Sequence, residues 1–384
     1  MRNRIKWVVE FSKQYWFSGI WVGLLLGGGV RLDRLGTSRT FFFDEWSLVL
    51  GRWPIGIGDL LEPHNGHLSF VPFGIYAGLV RIVGLGHYRV YRWVGISFHF
   101  VVVTLVLLYV LRRLGRIPAL GVGIGLLLLG AGWQNILWPF QIGFMGSVGC
   151  YVASLIVLDR KRRNSATVAS FLLFLSIASS GVGVPLTIAV IVETYFLPSK
   201  RTRLWIGGAP LVAYGIWYLY FGISQATIGN LVHVPSYLRD SAVGAVGGLY
   251  SLPPLWDVLV TGMTIGVLLV ALIVGKRGSP RIVGLLVGII GFWTATALSR
   301  GDLGEPSASR YVYVGVVLFV LLLSEATQEV SSIPSKVVWL IAGIGSVVAT
   351  SPLLGAGAEG LRYSSQRLSA ELAVVELLRE SVPA

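Results

Sequence analysis

The chain has 384 residues, of which 54% are hydrophobic and only 13% are charged. Soluble domains carry about 25% charged residues, so this composition excludes an ordinary soluble domain and indicates a polytopic membrane protein. The formal net charge is +13, but the basic residues lie in short clusters between apolar runs. That arrangement is typical of membrane orientation, and nucleic acid is not expected as a partner.

The N-terminal segment 1–14 is basic, and the first apolar run follows it at 15–30. No small-residue cleavage site follows this run, which predicts an uncleaved signal anchor with a cytoplasmic N-terminus. Gly19, Gly23 and Gly27 recur at every fourth residue of the run. The spacing fits either close approach of a neighbouring helix or simple tolerance of glycine in a membrane helix.

The next segment, residues 31–91, contains two adjacent carboxylates and two histidines in the stretch FFFDEWSLVLGRWPIGIGDLLEPHNGH. A charge in lipid costs about 2.5–3.5 kcal/mol or more, so the phenylalanines before Asp44 and Glu45 are expected to hold these acids at the membrane interface. The apolar run 68–84 in the same segment is short and contains a proline and an arginine. We interpret it as an interfacial helix rather than a span.

Lys and Arg counts decide this topology. If 68–84 crossed the membrane, the basic loops from 112–116 to 276–281 would lie outside, against the positive-inside rule. Without that crossing, the outer loops 134–140, 179–181, 223–255 and 300–310 carry few basic residues. The expected fold is therefore an all-α polytopic membrane protein of about eleven transmembrane helices with a long first extracytoplasmic loop. The predicted spans are 15–30, 93–111, 117–133, 141–158, 166–178, 182–197, 204–222, 256–275, 281–299, 311–325 and 337–352.

The predicted domains are a cytoplasmic N-terminus (1–14), a transmembrane domain (15–352) and an extracytoplasmic tail (353–384). The tail is expected to form an amphipathic helix on the outer surface, because its apolar residues follow a near-helical spacing. These residues are Leu361, Leu368, Leu372, Val375 and Leu378.

Most acidic residues that have no evident structural role lie on the outer side of the membrane in this predicted topology. Glu193 and Glu325 lie near inner ends of their spans and are expected only to meet lipid headgroups. An ion-coupled transporter would place acids near the bilayer midplane, and the sequence shows none there. The pattern favours a site at the outer interface over a translocation path.

Asp44, Arg300 and Arg310 are the residues whose chemistry suits such a site. A positioned carboxylate can take the proton of an attacking hydroxyl, and arginines stabilise the charge that develops on a leaving phosphate. Simpler interpretations remain open. Interfacial arginines often only anchor a helix at the membrane surface. Asp44 could cap a helix. Glu45 could stabilise the first turn of that helix by interacting with the helix dipole.

His64 and His67 flank Asn65-Gly66, a strong turn pair. The two histidines could hold a divalent cation (Mg²⁺, Mn²⁺ or Ca²⁺) with the acids, contact a phosphate or sugar, or be plain loop residues. No zinc-protease, phosphate-loop or nucleophile-elbow motif is present, so nucleotide-dependent chemistry is unsupported. Cys150 lies in an apolar run and is interpreted as a small buried hydrophobe.

The order of these motifs resembles that of the GT-C type polyprenyl-phosphate-dependent glycosyltransferases, which include protein O-mannosyltransferases, aminoarabinose transferases and arabinosyltransferases. FDEW (43–46) is similar to the acidic pair that begins their first outer loop. LLEPHNGHLSFVPFGIYAGLVRIVGL (60–85) resembles their Asn-Gly segment and horizontal helix. HYRVYRWVGISFHFVVVTLVLLYVLRRLGR (87–116) resembles their second span with its Arg-rich end, and SRYVYVG (309–315) resembles a late arginine-tyrosine segment.

The resemblance implies roles for individual residues. Asp44 is the implied catalytic acid or base with Glu45 as its partner, and Arg310, with Arg300, is the implied contact to the donor phosphate. His64 or His67 stands near that phosphate, although some relatives have a lysine after the turn where this chain has His67. Residues assigned to the acceptor or sugar are Asn65, Trp46, Tyr311 and Asp240.

We interpret the chain as a membrane glycosyltransferase, and the resemblance implies that it inverts the configuration of the sugar. Its expected donor is a polyprenyl-phosphate-linked sugar, and its expected acceptor is an envelope glycan, lipid or protein at the outer face of a bacterial cytoplasmic membrane. The alternatives are a transporter or flippase of a lipid-linked glycan and a catalytically inactive scaffold of the same fold. A transport path needs polar residues between spans, and the sequence offers few beyond Gln134, Asn135 and Gln141.

Overall fold

The computed structural model describes residues 2–50, 56, 58–160, 162–197, 203–251, 258–259, 261–262, 279–328 and 333–379. Within these ranges the chain forms helices and turns, and the single β-bridge joins His64 to His67. The predicted all-helical class is confirmed for the described residues. The α-helices are α1 (Arg2–Leu35), α2 (Glu45–Val49), α3 (Phe70–Val83), α4 (Tyr88–Leu114), α5 (Arg116–Leu127), α6 (Trp133–Leu137), α7 (Ile142–Leu158), α8 (Ser165–Ser179), α9 (Gly183–Tyr195), α10 (Trp205–Phe221), α11 (Val234–Gly247), α12 (Pro280–Arg300), α13 (Ser309–Ala326) and α14 (Ile333–Leu377).

Five helical stretches in the described part are long and apolar enough to cross a membrane, or six if one bent pair counts as a single span. The membrane character is thus confirmed, whereas the predicted number of eleven spans is not. The runs 166–178 and 182–197 fold as helices of 15 and 13 residues. At about 1.5 Å per residue, such helices are shorter than a hydrocarbon core of about 30 Å. The predicted span 256–275 lies almost entirely outside the described residues.

The predicted interfacial helix 68–84 corresponds closely to α3, which spans Phe70–Val83. Gly84 follows it with a φ of 65°, and its amide donates to the Val80 carbonyl at 3.1 Å. Glycine is favoured at such a helix end because it adopts positive φ without steric cost. The helix therefore ends where the sequence places a residue that permits it.

The bent pair consists of α5 and the segment Gly130–Leu137, which meet at an angle of 48°. Breaking a helix leaves backbone groups without partners, and a nonpolar environment offers no water to satisfy them. The His99 side chain provides a hydrogen-bond partner for the Leu127 carbonyl, with Nε2 3.1 Å from the oxygen. The Gly130 amide donates to Thr350 Oγ1 at 3.0 Å. Side chains from α4 and α14 thus make the break tolerable.

Close helix packing occurs between α5 and α14, where glycines face each other. A Cβ on Gly121 would overlap the Trp339 carbonyl, and one on Gly343 would overlap Gly121 itself. The glycines singled out in the first span behave differently, since a Cβ on Gly19, Gly23 or Gly27 would meet nothing within 4 Å. The close-packing interpretation of those three glycines was wrong within the described structure.

Helix α14 is longer than the predicted last span of 337–352. It runs without a break from Ile333 to Leu377, through Pro352, and so includes most of the predicted tail. Its C-terminal part is anchored to the chain that follows α1, because Ser365 donates to the Thr40 carbonyl at 3.2 Å. The tail is therefore a continuation of the last span helix rather than a separate helix.

Charged residues at one end of the bundle form a buried ion-pair network. Arg113 pairs with Glu325 and with Asp159, the latter at 3.0 Å, while Arg281 pairs with Asp159 at 3.0 Å and with Glu193 at 2.6 Å. These residues lie at the ends of α4, α7, α9, α12 and α13. The expectation that Glu193 and Glu325 meet only headgroups was wrong, because both are buried and paired with arginines from other helices.

Candidate functional site

A cavity of about 360 Å³ lies at the other ends of four of the helices that carry this ion-pair network, α7, α9, α12 and α13. Its wall includes residues at the starts of α7, α9 and α13 and at the end of α12. The segments 134–140, 179–181 and 300–310, all predicted to be outer loops, contribute to the same cavity together with the first loop. Four loops far apart in the sequence therefore meet at one place.

Most of the predicted site residues line this cavity. Glu45, Trp46 and Asp240 are the predicted residues that are absent from its wall. The predicted residues that line it are Asp44, His64, Asn65, His67, Arg300, Arg310 and Tyr311.

The Asp44 side chain does not cap α2, although its position before the helix suggests that it could. Asp44 immediately precedes α2, but its backbone has helical dihedrals, φ −61° and ψ −14°, and its carboxylate makes no capping hydrogen bond. Phe43 before it has a φ of 50°, an outlier for a bulky residue. Such backbone strain persists only where the surroundings enforce it. Burial raises the pKa of Asp44, and the positive charges of Arg300 and Arg310 oppose this shift.

Glu45 points the opposite way and is fully buried. Its carboxylate accepts hydrogen bonds from Tyr76 Oη at 2.8 Å, Tyr88 Oη at 2.9 Å, Trp138 Nε1 at 3.1 Å and the Phe42 amide at 3.1 Å. Burial raises the pKa of Glu45 to about 7, although these donors act in the other direction. Glu45 thus fastens the strained loop to α3, α4 and the segment before α7, and it positions Asp44 rather than touching the cavity.

The remaining two predicted residues lie elsewhere. The Trp46 ring packs against Phe41 with a centroid distance of 5.5 Å. Asp240 is exposed on α11 and pairs with Arg239 at 2.7 Å. Tyr237, one turn earlier on α11, is buried instead, and its hydroxyl has no hydrogen-bond partner within the described part of the chain.

Arg300 and Arg310 approach the cavity from the two ends of the loop that joins α12 to α13. Arg300 is the last residue of α12, and its guanidinium makes no hydrogen bond or ion pair with any described residue. The Arg310 guanidinium lies 3.7 Å from the exposed Glu305 and 4.7 Å from the Tyr311 ring centre. The Arg310 amide donates to Gln134 Oε1 at 3.1 Å. Both cations are thus placed to receive an anion.

The predicted Asn65-Gly66 turn is confirmed. The His64 amide donates to the His67 carbonyl at 2.9 Å and the His67 amide to the His64 carbonyl at 3.0 Å. Asn65 and Gly66 have φ values of 49° and 73°, and positive φ at both central residues is characteristic of a type I′ turn. The turn brings the two histidines to the cavity from one short hairpin.

The two histidine rings have different surroundings. His64 packs edge-on against Phe73 and Phe140, with centroid distances of 5.3 and 5.9 Å. His67 lies against Gly181, where an added Cβ would be 2.5 Å from His67 Nδ1. Burial lowers the pKa of His67, and the nearby charge of Arg300 lowers it further. Both effects favour the neutral ring, which can donate one hydrogen bond without adding charge.

A divalent cation was one interpretation of the histidines. Among the described residues, no group of three or more His, Cys, Asp or Glu side chains is arranged to hold a metal ion. The acids nearest in sequence differ in placement, since Asp44 lines the cavity and Glu45 does not.

Several cavity residues were not assigned a role from the sequence. Gln134 and Gln141 stood out only as polar residues near an outer loop, and Ser180 and Gly181 gave no signal beyond a turn between two apolar runs. Glutamine and serine have no fixed chemical role, so only their position around a shared cavity identifies them.

Comparison of the chain with protein-family models, curated proteins and solved structures finds no match. The resemblance to GT-C glycosyltransferases therefore stays a hypothesis that rests on the order of short motifs. The chemistry of the cavity is the independent ground on which a function can be argued.

Proposed function

We propose that the protein is an inverting GT-C type glycosyltransferase that uses a polyprenyl-phosphate-linked sugar as donor. The observation that carries the proposal is the position of Asp44. An uncapped carboxylate shares one cavity with two arginines that act on it electrostatically. A base and an anion-binding pair within one apolar-walled pocket suit transfer from a lipid phosphate to a hydroxyl.

In this reaction the acceptor oxygen attacks the anomeric carbon from the face opposite the phosphate. The new C–O bond forms as the bond between the anomeric carbon and the phosphate oxygen breaks, and its electron pair leaves with the phosphate. Asp44 takes the proton of the acceptor hydroxyl. Arg300 and Arg310 stabilise the negative charge on the departing polyprenyl phosphate. Attack from the opposite face inverts the configuration of the sugar.

The environment of the cavity supports these roles. The raised pKa of Asp44 makes it a stronger base than an exposed aspartate. The neutral His67 ring can donate a hydrogen bond to a phosphate or sugar oxygen. The strained Phe43 backbone and the buried Glu45 hold the base in place, which reduces its reorganisation during the reaction.

The expected acceptor is an envelope glycan, lipid or protein reached from the outer face of a bacterial cytoplasmic membrane. The loops predicted to lie outside converge on the cavity, which supports this placement. The long apolar helices show only that the protein is embedded in a membrane. A lipid-linked donor is consistent with a cavity at the ends of such helices, because polyprenyl phosphates carry their phosphate at that depth.

The test uses the purified protein in lipid nanodiscs with a panel of radiolabelled polyprenyl-phosphate sugars and an envelope acceptor fraction. Native protein, Asp44→Asn and the control Asp240→Asn are compared for sugar transfer and, separately, for donor binding. Transfer by the native and control proteins, lost at least 100-fold in Asp44→Asn with donor binding retained, is expected for a general base. Binding without transfer in all three proteins would instead support a transporter, a flippase or an inactive scaffold.

A further inference from the structure

Gln141 is a buried residue of the cavity wall. It is the last residue of the turn Pro139–Gln141 that leads into α7, and it is only 1% exposed. Its Oε1 has no hydrogen-bond partner within the described residues. Buried carbonyl groups without partners are rare in native proteins because their desolvation is not offset, and each one calls for an explanation. A bound ligand is one explanation that the position of Gln141 in the cavity wall supports.

The chemistry of this oxygen defines what it can bind. A glutamine carbonyl oxygen only accepts hydrogen bonds, so its partner must carry an O–H or N–H group. A deprotonated phosphate oxygen cannot donate, and Arg300 and Arg310 already provide cations for it in the same cavity. Gln141 is therefore expected to contact a different part of the ligand from the part that the two arginines bind.

The neighbours of Gln141 favour a neutral polar group. Phe140 and Phe144 flank it in sequence and line the same cavity, as does Tyr311. Aromatic walls with a few placed polar atoms are typical of pockets for neutral or amphipathic small molecules. A sugar ring offers apolar C–H faces to such rings and hydroxyl donors to a carbonyl oxygen.

We propose that Gln141 accepts a hydrogen bond from a hydroxyl of the transferred sugar and is a specificity-determining residue of the donor site. The inference rests on the proposed function and adds to it, because it divides the cavity into an anionic subsite at the arginines and a hydroxyl subsite at Gln141. Donors that lack the contacted hydroxyl leave the Gln141 carbonyl unpaired and bind less tightly.

The test measures binding, not transfer. Native protein, Gln141→Leu and Asn135→Leu in nanodiscs are titrated with polyprenyl phosphate, with polyprenyl-phosphate sugars and with single-deoxy versions of the best-bound sugar. Asn135 is a matched control, since it is equally buried and its amide atoms are unpaired, yet it does not line the cavity. Thermal unfolding of each variant without ligand checks that it is folded.

The expected result is selective. Gln141→Leu weakens binding of the sugar-bearing lipid about tenfold, which is typical for one lost buried hydrogen bond. Its affinity for polyprenyl phosphate stays unchanged, and Asn135→Leu matches the native protein for both lipids. One deoxy donor binds native protein and Gln141→Leu equally, because it lacks the hydroxyl that the carbonyl contacts.

Other outcomes overturn the inference. Equal loss of both lipids in Gln141→Leu indicates a general disturbance of the cavity, and no loss of either indicates that the carbonyl contacts no sugar. If the native protein binds neither lipid, this inference and the proposed function both fail. If Gln141-dependent binding is found but no transfer follows, the proposed enzyme activity fails while the hydroxyl subsite stands.

Discussion

The carboxylates of Asp44 and Glu45, adjacent in the sequence, lie on opposite sides of one strained loop. Asp44 lines the cavity without a capping bond, and Glu45 is buried beneath it with four hydrogen-bond donors. The two carboxylates therefore differ in placement, and in the proposed function Asp44 is the base and Glu45 its anchor. Replacing each one separately distinguishes the two roles.

Glu45 should make the stability of the protein depend on pH. Its pKa is raised from 4.5 to about 7 on folding, so the folded state holds the proton more tightly than the unfolded state. The stabilisation is fully present below pH 4.5 and is lost as the pH rises through 7. At 1.36 kcal/mol per pKa unit, the loss is about 3 kcal/mol.

Thermal unfolding of native protein and Glu45→Gln between pH 4.5 and 8.5 measures this effect. The melting temperature of the native protein should fall more steeply with pH than that of Glu45→Gln, because glutamine does not titrate. Glu371→Gln is the control, since Glu371 is exposed and, among the described residues, pairs only with Arg367. Parallel pH curves for native protein and Glu45→Gln would mean that Glu45 does not titrate in this range.

Asp44→Asn should leave the free energy of unfolding within about 0.5 kcal/mol of the native value. An aspartate that caps a helix contributes about 0.5–2 kcal/mol, but the Asp44 carboxylate makes no such bond. Chemical or thermal unfolding at pH 7 provides the measurement. A loss of 1 kcal/mol or more would show that Asp44 has a structural role after all.

Gly181→Ala should disturb the proposed donor site by displacing the His67 ring. The added Cβ would lie 2.5 Å from His67 Nδ1, so the ring must move, at a cost of about 1–3 kcal/mol. Binding of polyprenyl phosphate should weaken about tenfold if the ring contacts the phosphate. Gly208→Ala is the control, because its Cβ would meet nothing within 4 Å. Equal affinity of the two variants for polyprenyl phosphate would show that His67 does not contact the phosphate.

Gly121→Ala and Gly23→Ala should differ in their effect on the stability of the protein. The Cβ at position 121 would overlap the Trp339 carbonyl of α14, whereas the Cβ at position 23 would meet nothing within 4 Å. We expect Gly121→Ala to destabilise the fold by about 1–3 kcal/mol or more. Gly23→Ala should be neutral or stabilising, because alanine favours the helix. Melting temperatures in detergent compare the two, and similar losses would restore the first-span glycines as packing residues.

Arg281→Gln should be strongly destabilising, by about 3–5 kcal/mol, because it leaves the buried Glu193 without its cation. Asp159 loses one of its two arginines but keeps its pair with Arg113. Arg239→Gln serves as the control, since Arg239 forms only an exposed pair with Asp240 and such pairs contribute about 0–1 kcal/mol. Unfolding in denaturant measures both. Similar stabilities would show that the buried network does not hold the helix ends together.

Local sequence patterns predicted much of the fold because their causes are local. Helix α3 follows from an apolar run that ends at a glycine, and the His64–His67 hairpin follows from the Asn-Gly pair. The long apolar run 93–111 predicted a membrane span, and it lies within the helix Tyr88–Leu114, which is long and apolar enough to cross a membrane. The number of spans was less certain, since several short runs form helices shorter than a bilayer core.

Contacts between distant residues were beyond the reach of the sequence. Arg281 meets Glu193 and Asp159 across three helices, and Gly121 rather than Gly23 faces a neighbouring backbone. A helix pattern gives the spacing of small or charged residues but not the partner that each face meets. Only the packing of helices selects among such faces.

The same division applies to the site. By itself the sequence determined a membrane-embedded helical chain, an acidic pair in the first loop and a tight turn between two histidines, because hydrophobicity and turn preference act over short distances. The tertiary structure decided that Asp44 and not Glu45 faces the cavity, that Arg300 and Arg310 share it, and that the Gln141 carbonyl is left unpaired in its wall. These facts depend on which surfaces exclude water when the helices pack together, and that is a property of the whole fold.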